Sequence, residues 1–198
     1  WKVDKLPELT DIFPENNNNP LNDNKLISND VKITLDKTNF HIPDNINYRE
    51  GIYSYQGEAV DSWVENNYQG IFAMCTGSGK TITSLIATYY LYQKTKPLLV
   101  FISVPFNPLL LQWKEECEKF GLKPFSLRKM SRKQKINTLN KCTRRLKSNF
   151  SDIEVIIGTN NALKDNDYTS ILLKSKIDLL LIADEVHNLG TDNFLSSK

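Results

Sequence analysis

Three short stretches of the chain are apolar at nearly every position: Leu98-Leu99-Val100-Phe101-Ile102, Ile153 to Gly158, and Leu179-Leu180-Leu181-Ile182-Ala183. A strand with one wet face alternates, because successive side chains point to opposite sides of the sheet. A run without alternation is a strand covered on both faces, and such strands belong to parallel sheets sandwiched between helices. The intervals carry helical spacing. Residues 80–93 set Ile82, Leu85, Ile86 and Tyr89 on one side, and residues 131–149 set Ile136, Leu139, Cys142 and Leu146 on one side. Asn107 with Pro108 opens a helix to Phe120, Asn107 being the expected N-cap. Shorter helices are expected around Ala59, Val60, Trp63 and Val64, and over residues 168–174. Strands are expected at 70–75, 97–104, 153–158 and 177–183. The expected fold is therefore α/β, a mostly parallel sheet with helices on both faces. Ligands in such sheets bind beyond the carboxyl ends of the strands.

The sequence Met74-Cys75-Thr76-Gly77-Ser78-Gly79-Lys80-Thr81 stands at one such end, between a strand and a helix. Gly77 and Gly79 allow the backbone to wrap around an anion, with successive N–H groups aimed at phosphate oxygens. The helix start adds the positive end of its dipole. Lys80 would reach the β- and γ-phosphates, and Thr81 would offer its hydroxyl to Mg2+. Thr76, Gly77, Ser78, Gly79, Lys80 and Thr81 are thus the candidate nucleotide-binding residues. The full phosphate-loop pattern has Gly where this chain has Met74. The competing reading is an ordinary Gly turn before a helix, and the strand-loop-helix context weighs against it.

A second motif ends the last apolar run: Asp184-Glu185-Val186-His187, 104 residues after Lys80. Burying the strand holds two carboxylates at its tip. Asp184 can then hold Mg2+ through its water shell, and Glu185 can polarise the water that attacks the γ-phosphate. A bare Asp-Glu pair is more often surface charge; its place on the last strand of an alternating pattern argues otherwise. Lys80, Asp184 and Glu185 are the catalytic candidates, with Thr81 and Asp184 toward the metal.

Charge is unevenly spread. The net charge is +2, yet residues 121–150 hold ten Lys or Arg and no carboxylate. The other fifteen basic residues face 23 acidic ones. A basic segment on an otherwise acidic chain points to a polyanion partner; the plainer reading is a solvated helix face. The three cysteines, Cys75, Cys117 and Cys142, are odd in number and far apart. That argues against a disulfide framework or a zinc site and suits a reducing cytoplasm. No run of 18 apolar residues suggests a membrane span. Residues 1–48 read differently from the rest, with the breaker cluster Pro14-Glu15-Asn16-Asn17-Asn18-Asn19-Pro20 and a short candidate strand at 31–35. They are expected to form an arm or linker ahead of a domain at 49–198. The start on Trp1 suits a chain cut from something longer.

Together these motifs resemble the superfamily 2 helicases of the DExH-box type, in form closest to restriction-type and phage-defence helicases. Many of these helicases share the departure at Met74. Tyr55-Gln56-Gly57-Glu58-Ala59-Val60 resembles the family's adenine-reading segment, which implies that Gln56 hydrogen-bonds adenine. Relatives often carry Arg-Pro before that pair, where this chain has Tyr53-Ser54, leaving Arg49 as the substitute. The stretch Val104-Pro105-Phe106-Asn107-Pro108-Leu109-Leu110-Leu111-Gln112-Trp113 resembles the segment after the second strand, and Ile156-Ile157-Gly158-Thr159 the next nucleic-acid-facing segment. The resemblance implies a RecA-like first motor domain that uses ATP and Mg2+. It implies nucleic-acid contacts at Pro105, Gln112 and Thr159, coupling through His187, and a second motor domain of the same protein as partner. DNA is the expected track ahead of RNA. A motor that moves on or unwinds the strand is the first expectation; an ATP-gated sensor or clamp is the alternative, since both use the same motifs.

Overall fold

The computed structural model describes residues 38–185. The candidate strand at 31–35 and the candidate coupling residue His187 lie outside the described residues. Four parallel strands form one sheet: β1 (Leu98–Val104), β2 (Phe125–Ser126), β3 (Ile153–Thr159) and β4 (Asp178–Ala183), in the order β2-β3-β1-β4. Between and before them run α1 (Ser54–Glu65), α2 (Lys80–Lys94), α3 (Asn107–Lys119), α4 (Arg132–Lys147), α5 (Asn160–Leu163) and α6 (Asn166–Lys174).

β1 is flanked on both sides, Leu98 lying opposite Ile153 and Asp178, and Ser103 opposite Gly158 and Ala183. All seven of its residues are buried, as its unbroken apolar run requires. The period-two rule then divides the core. Val100, Ile102 and Val104 pack with residues of α1, α2 and α3, whereas Leu99 and Phe101 pack with residues of α4 and α6. Phe40 joins the first of these clusters, its ring 5.4 Å from Tyr89 and 5.4 Å from Tyr92. The fold is the α/β sandwich expected, with helices on both faces.

The helix boundaries follow local chemistry. Ser131 caps α4 through a reciprocal capping box: its hydroxyl accepts from Gln134 N, and Gln134 Oε1 accepts from Ser131 N. Asp165 caps α6 by accepting from the amides of Asp167 and Tyr168. At α3 the expected N-cap is displaced by one residue. Asn107 is already helical, Phe106 takes the extended cap position, and no side chain caps the helix there. Pro108 sits in the first turn, where its missing N–H costs nothing.

Residues 70–75 differ from expectation. They run without helix or strand assignment, and Ile71 is exposed. A strand exists only through a ladder partner, and among the described residues none is offered to this segment. β4 pairs only with β1 there, and a cleft of about 940 Å3 separates its residues from residues 70–75.

One buried charge interrupts the apolar pattern of β3. Glu154 is 5% exposed, and Arg145 Nε donates to its Oε1 at 2.6 Å. Removing the cation leaves a carboxylate without its partner inside the protein. Arg145→Ala is expected to lower unfolding free energy by about 3 kcal/mol, the low end of the range for broken buried pairs because the guanidinium keeps some contact with water. Adding Glu154→Leu should restore most of the loss. Urea denaturation measures both, and an unchanged midpoint in the single variant would refute the assignment.

Candidate functional site

The turn before α2 is shaped by two glycines. Gly77 and Gly79 have φ of 79° and 86°, left-handed values that other residues adopt at a cost. A Cβ on Gly79 would stand 2.6 Å from Gln56 Nε2, so a larger residue there would also push the Gln56 amide aside. Thr76 and Gly77 are exposed, while Ser78, Gly79, Lys80 and Thr81 are half-buried. Lys80 Nζ lies across the loop, donating to the carbonyls of Met74 and Cys75 at 3.2 and 3.4 Å. A cation and the start of a 15-residue helix meet at this glycine turn. That is the arrangement that concentrates positive potential for an anion.

From α1, two side chains reach into this loop. Tyr55 Oη donates to Ser78 O at 2.7 Å, and Gln56 Nε2 donates to the same carbonyl at 3.1 Å. Gln56 is buried. Its amide has a second N–H and an oxygen with which to meet a purine edge. Gly57, next along, brings α1 against the preceding chain. Its N–H donates to Tyr48 O at 2.9 Å, and a Cβ would stand 2.7 Å from that oxygen.

Arg49 does not replace the missing family arginine. Its guanidinium takes both carboxylate oxygens of Asp61 and the hydroxyl of Tyr90. The Asp61 carboxylate, with smaller help from Tyr90, holds the guanidinium well above its ordinary pKa; Arg49 in turn lowers Asp61. Arg49 ties the approach to α1 onto α1 and α2 instead of facing the nucleotide loop.

Across the cleft, β4 delivers the two carboxylates. Asp184 N donates to Ser103 O at 2.8 Å, which extends the ladder one residue past the strand. Glu185 then turns away with φ of 50°, and its N–H donates to Asp184 Oδ1 at 2.9 Å. Trp113 Nε1 donates to the other oxygen, Asp184 Oδ2, at 2.8 Å. Both oxygens of Asp184 are therefore oriented. Lys80, Asp184 and Glu185 line the same cleft, so the two motifs, remote in sequence, meet in space.

The indole contact was not anticipated from the sequence. Trp113 is core, 2% exposed. The available signal was that a buried indole N–H needs an acceptor. The Thr81 hydroxyl and the Asp184 carboxylate are hard oxygen donors of the type Mg2+ takes, and Mg2+ uses few protein ligands alongside phosphates and water. Among the described residues no three His, Cys, Asp or Glu gather as a protein-only metal cage.

The nucleic-acid candidates divide. Thr159 ends β3 opposite Val104, and Pro105 follows Val104, so these two share the carboxyl edge of adjacent strands. Gln112 lies on the exposed side of α3, beside Trp113 in sequence. The basic helix is elsewhere. Its last turn precedes the start of β3, at the amino ends of the strands, where Lys141, Arg144, Arg145, Lys147, Ser148 and Phe150 line an open groove. Two of its arginines are engaged: Arg145 with Glu154, and Arg132 with Asp165 and Asp167. Cys117 and Cys142 are buried, and desolvation pushes each thiol up to about 12; Cys75 is exposed in the loop.

Comparison with known proteins agrees with this geometry. The family described as the res subunit of type III restriction enzymes matches residues 50–197. The chain belongs to that family. It is a superfamily 2 helicase motor domain of the RecA-like α/β type. An uncharacterized ATP-dependent helicase of Mycoplasma genitalium is 36% identical over 86 residues, covering 41% of this chain and 8% of that protein. The chain thus aligns with a small part of that relative's length. Among the described residues no helix is long and apolar enough to cross a membrane.

Proposed function

We propose that this motor domain hydrolyses ATP with Mg2+ to drive movement on, or unwinding of, DNA, in a restriction or anti-phage defence system, in the cytoplasm. The single observation that carries the reading is the cleft lined by Lys80 on one wall and by Asp184 and Glu185 on the other. Thr76, Gly77, Ser78 and Gly79 would surround the phosphates with backbone amides, and Lys80 would neutralise their charge. Gln56 would read the adenine edge. Thr81 and Asp184 would hold Mg2+, which supplies charge neutralisation for phosphoryl transfer. Glu185 would take a proton from the attacking water. Pro105, Gln112 and Thr159 would meet the strand, through phosphate contacts that do not read sequence. His187 would link the two sites. Residues 1–48 would serve as an arm whose end packs through Phe40 and Tyr48 onto the ATP-binding unit, residues 49–198. A second motor domain of the same protein would close over the cleft and complete the turnover machinery.

The test is ATP turnover and DNA binding by the full-length protein. DNA should raise turnover. Thr159→Ala should weaken DNA binding about tenfold by removing one hydrogen bond to a charged group. It should leave the salt dependence unchanged, because no cation is lost. Arg144→Ala/Lys147→Ala should change neither affinity nor salt slope, since that groove opens at the opposite end of the strands. Turnover indifferent to both DNA and RNA would overturn the reading. A salt slope reduced by the double variant, with Thr159→Ala silent, would move the track to α4.

A further inference from the structure

The tip of β4 is fastened to both candidate nucleic-acid segments. On one side the Asp184 carboxylate accepts from Trp113 Nε1 at 2.8 Å, and Trp113 follows Gln112 on α3. On the other, the Asp184 amide donates to Ser103 O at 2.8 Å, and the Ser103 hydroxyl donates to Asn160 Oδ1 at 2.7 Å. Asn160 follows Thr159. Ser103 is fully buried and Trp113 nearly so, so water is poorly placed to replace either link.

This arrangement has a mechanical consequence. A shift of α3 as Gln112 engages a strand moves the indole, and among the described residues the indole N–H has one acceptor. Asp184 must follow, or a buried donor is left unpaired. A shift at Thr159 reaches the same residue through Asn160 and Ser103. A carboxylate held at both oxygens cannot adjust by half-measures, since packed interiors pass between discrete arrangements.

We infer that Trp113 is a positioning residue: its N–H sets the Asp184 carboxylate for the metal, and with Ser103 it carries the state of the nucleic-acid segments to the nucleotide site. This rests on the proposed roles of Asp184 and of the strand-end segments. Coupling of this kind is reciprocal: DNA changes the affinity for Mg2+ and nucleotide by the same factor that nucleotide changes the affinity for DNA.

The experiment uses the full-length protein and a non-hydrolysable ATP analogue, so that binding is read apart from turnover. Analogue affinity is measured against Mg2+ concentration, and the affinity for a DNA oligonucleotide with and without the Mg2+-bound analogue. Trp113→Phe keeps the aromatic body and removes the donor. It should raise the Mg2+ needed for half-saturation about tenfold, as expected for a lost hydrogen bond to a charged group. The coupling factor should fall toward one. Analogue binding in EDTA and DNA binding without nucleotide should stay within about twofold of wild type, because neither requires the Asp184 carboxylate to be set for the metal. Ser103→Ala, which keeps the backbone carbonyl and loses the hydroxyl, should lower the coupling factor while preserving the Mg2+ requirement in the absence of DNA. It carries the test alone if Trp113→Phe does not fold. A coupling factor unchanged in the folded variants overturns the inference, even if thermal stability drops, since that marks a merely structural indole. No Mg2+ or DNA dependence in the wild-type protein overturns it as well, and locates the failure in the proposed function rather than in the relay.

Discussion

Lys80→Ala is expected to abolish measurable ATP binding at concentrations that saturate the wild-type protein. In the free domain the ammonium spans the loop, donating to the carbonyls of Met74 and Cys75. A triphosphate entering the loop would draw it to the β- and γ-phosphates, exchanging two neutral acceptors for charged ones. Hydrogen bonds to charged groups contribute roughly 1.5–3 kcal/mol each. Losing two such contacts corresponds to at least about a hundredfold in affinity. The fold should survive, because water can take over the two loop carbonyls and the glycine turn does not depend on the side chain. Calorimetric titration of the full-length protein with ATP and Mg2+ reads the effect, and circular dichroism checks the fold. An affinity within about threefold of wild type would remove Lys80 from the nucleotide site and with it the meaning given to the loop.

How much of this was legible in the sequence depended on whether the signal was local. The unbroken apolar run of β1 announced a strand covered on both faces, and its position between β3 and β4 explains why no alternation was tolerated. The spacing of Ile136, Leu139, Cys142 and Leu146 announced α4, and the capping box that starts it, Ser131 with Gln134 three residues later, is completed within one turn. The segment at 70–75 was read as a strand from composition alone. Composition reports an apolar extended chain but not whether a ladder partner is at hand, and that information is non-local. The displaced cap at Phe106 has a similar origin: Asn107 and Pro108 mark a helix start to within a residue, and packing selects which residue remains extended.

The site divides along the same line. Lys80 and Asp184 each follow an apolar segment, so their approach to one cleft could be inferred, although only the segment before Asp184 is a strand of the sheet. The contacts that orient them could not. Glu154 looks like an irregularity in an apolar strand until Arg145, nine residues earlier, is seen at 2.6 Å. Arg49 has the charge of a phosphate ligand, but Asp61 and Tyr90 claim it. Trp113 has the volume of a core residue, and only its distance to Asp184 reveals the second use of the indole. Side-chain partners remote in sequence leave no periodic trace, whereas backbone-driven features do.

Glu185→Gln is expected to separate binding from chemistry. Glu185 sits one residue past Asp184 on a left-handed turn whose geometry is held by its own N–H to Asp184 Oδ1. That bond belongs to the backbone and persists in the variant. Gln has the same shape and the same tolerance for the turn, so Asp184 should keep its orientation and Mg2+ its place. What changes is proton affinity. In the proposed mechanism the carboxylate accepts a proton as water attacks the γ-phosphate, and an amide oxygen is too weak a base to do so. General-base catalysis by a positioned side chain contributes about 10^2- to 10^4-fold, so turnover in the full-length protein should fall by that factor. ATP affinity should remain within about twofold. A variant that binds without turning over should also dwell in the ATP-bound state, and DNA affinity measured with ATP should approach that measured with a non-hydrolysable analogue. Single-turnover hydrolysis and equilibrium binding on one preparation read both quantities. Wild-type hydrolysis by the variant would strip Glu185 of the base role. A parallel loss of ATP binding would instead place Glu185 among the groups that hold Mg2+, since the defect would then lie in assembling the site and not in moving the proton.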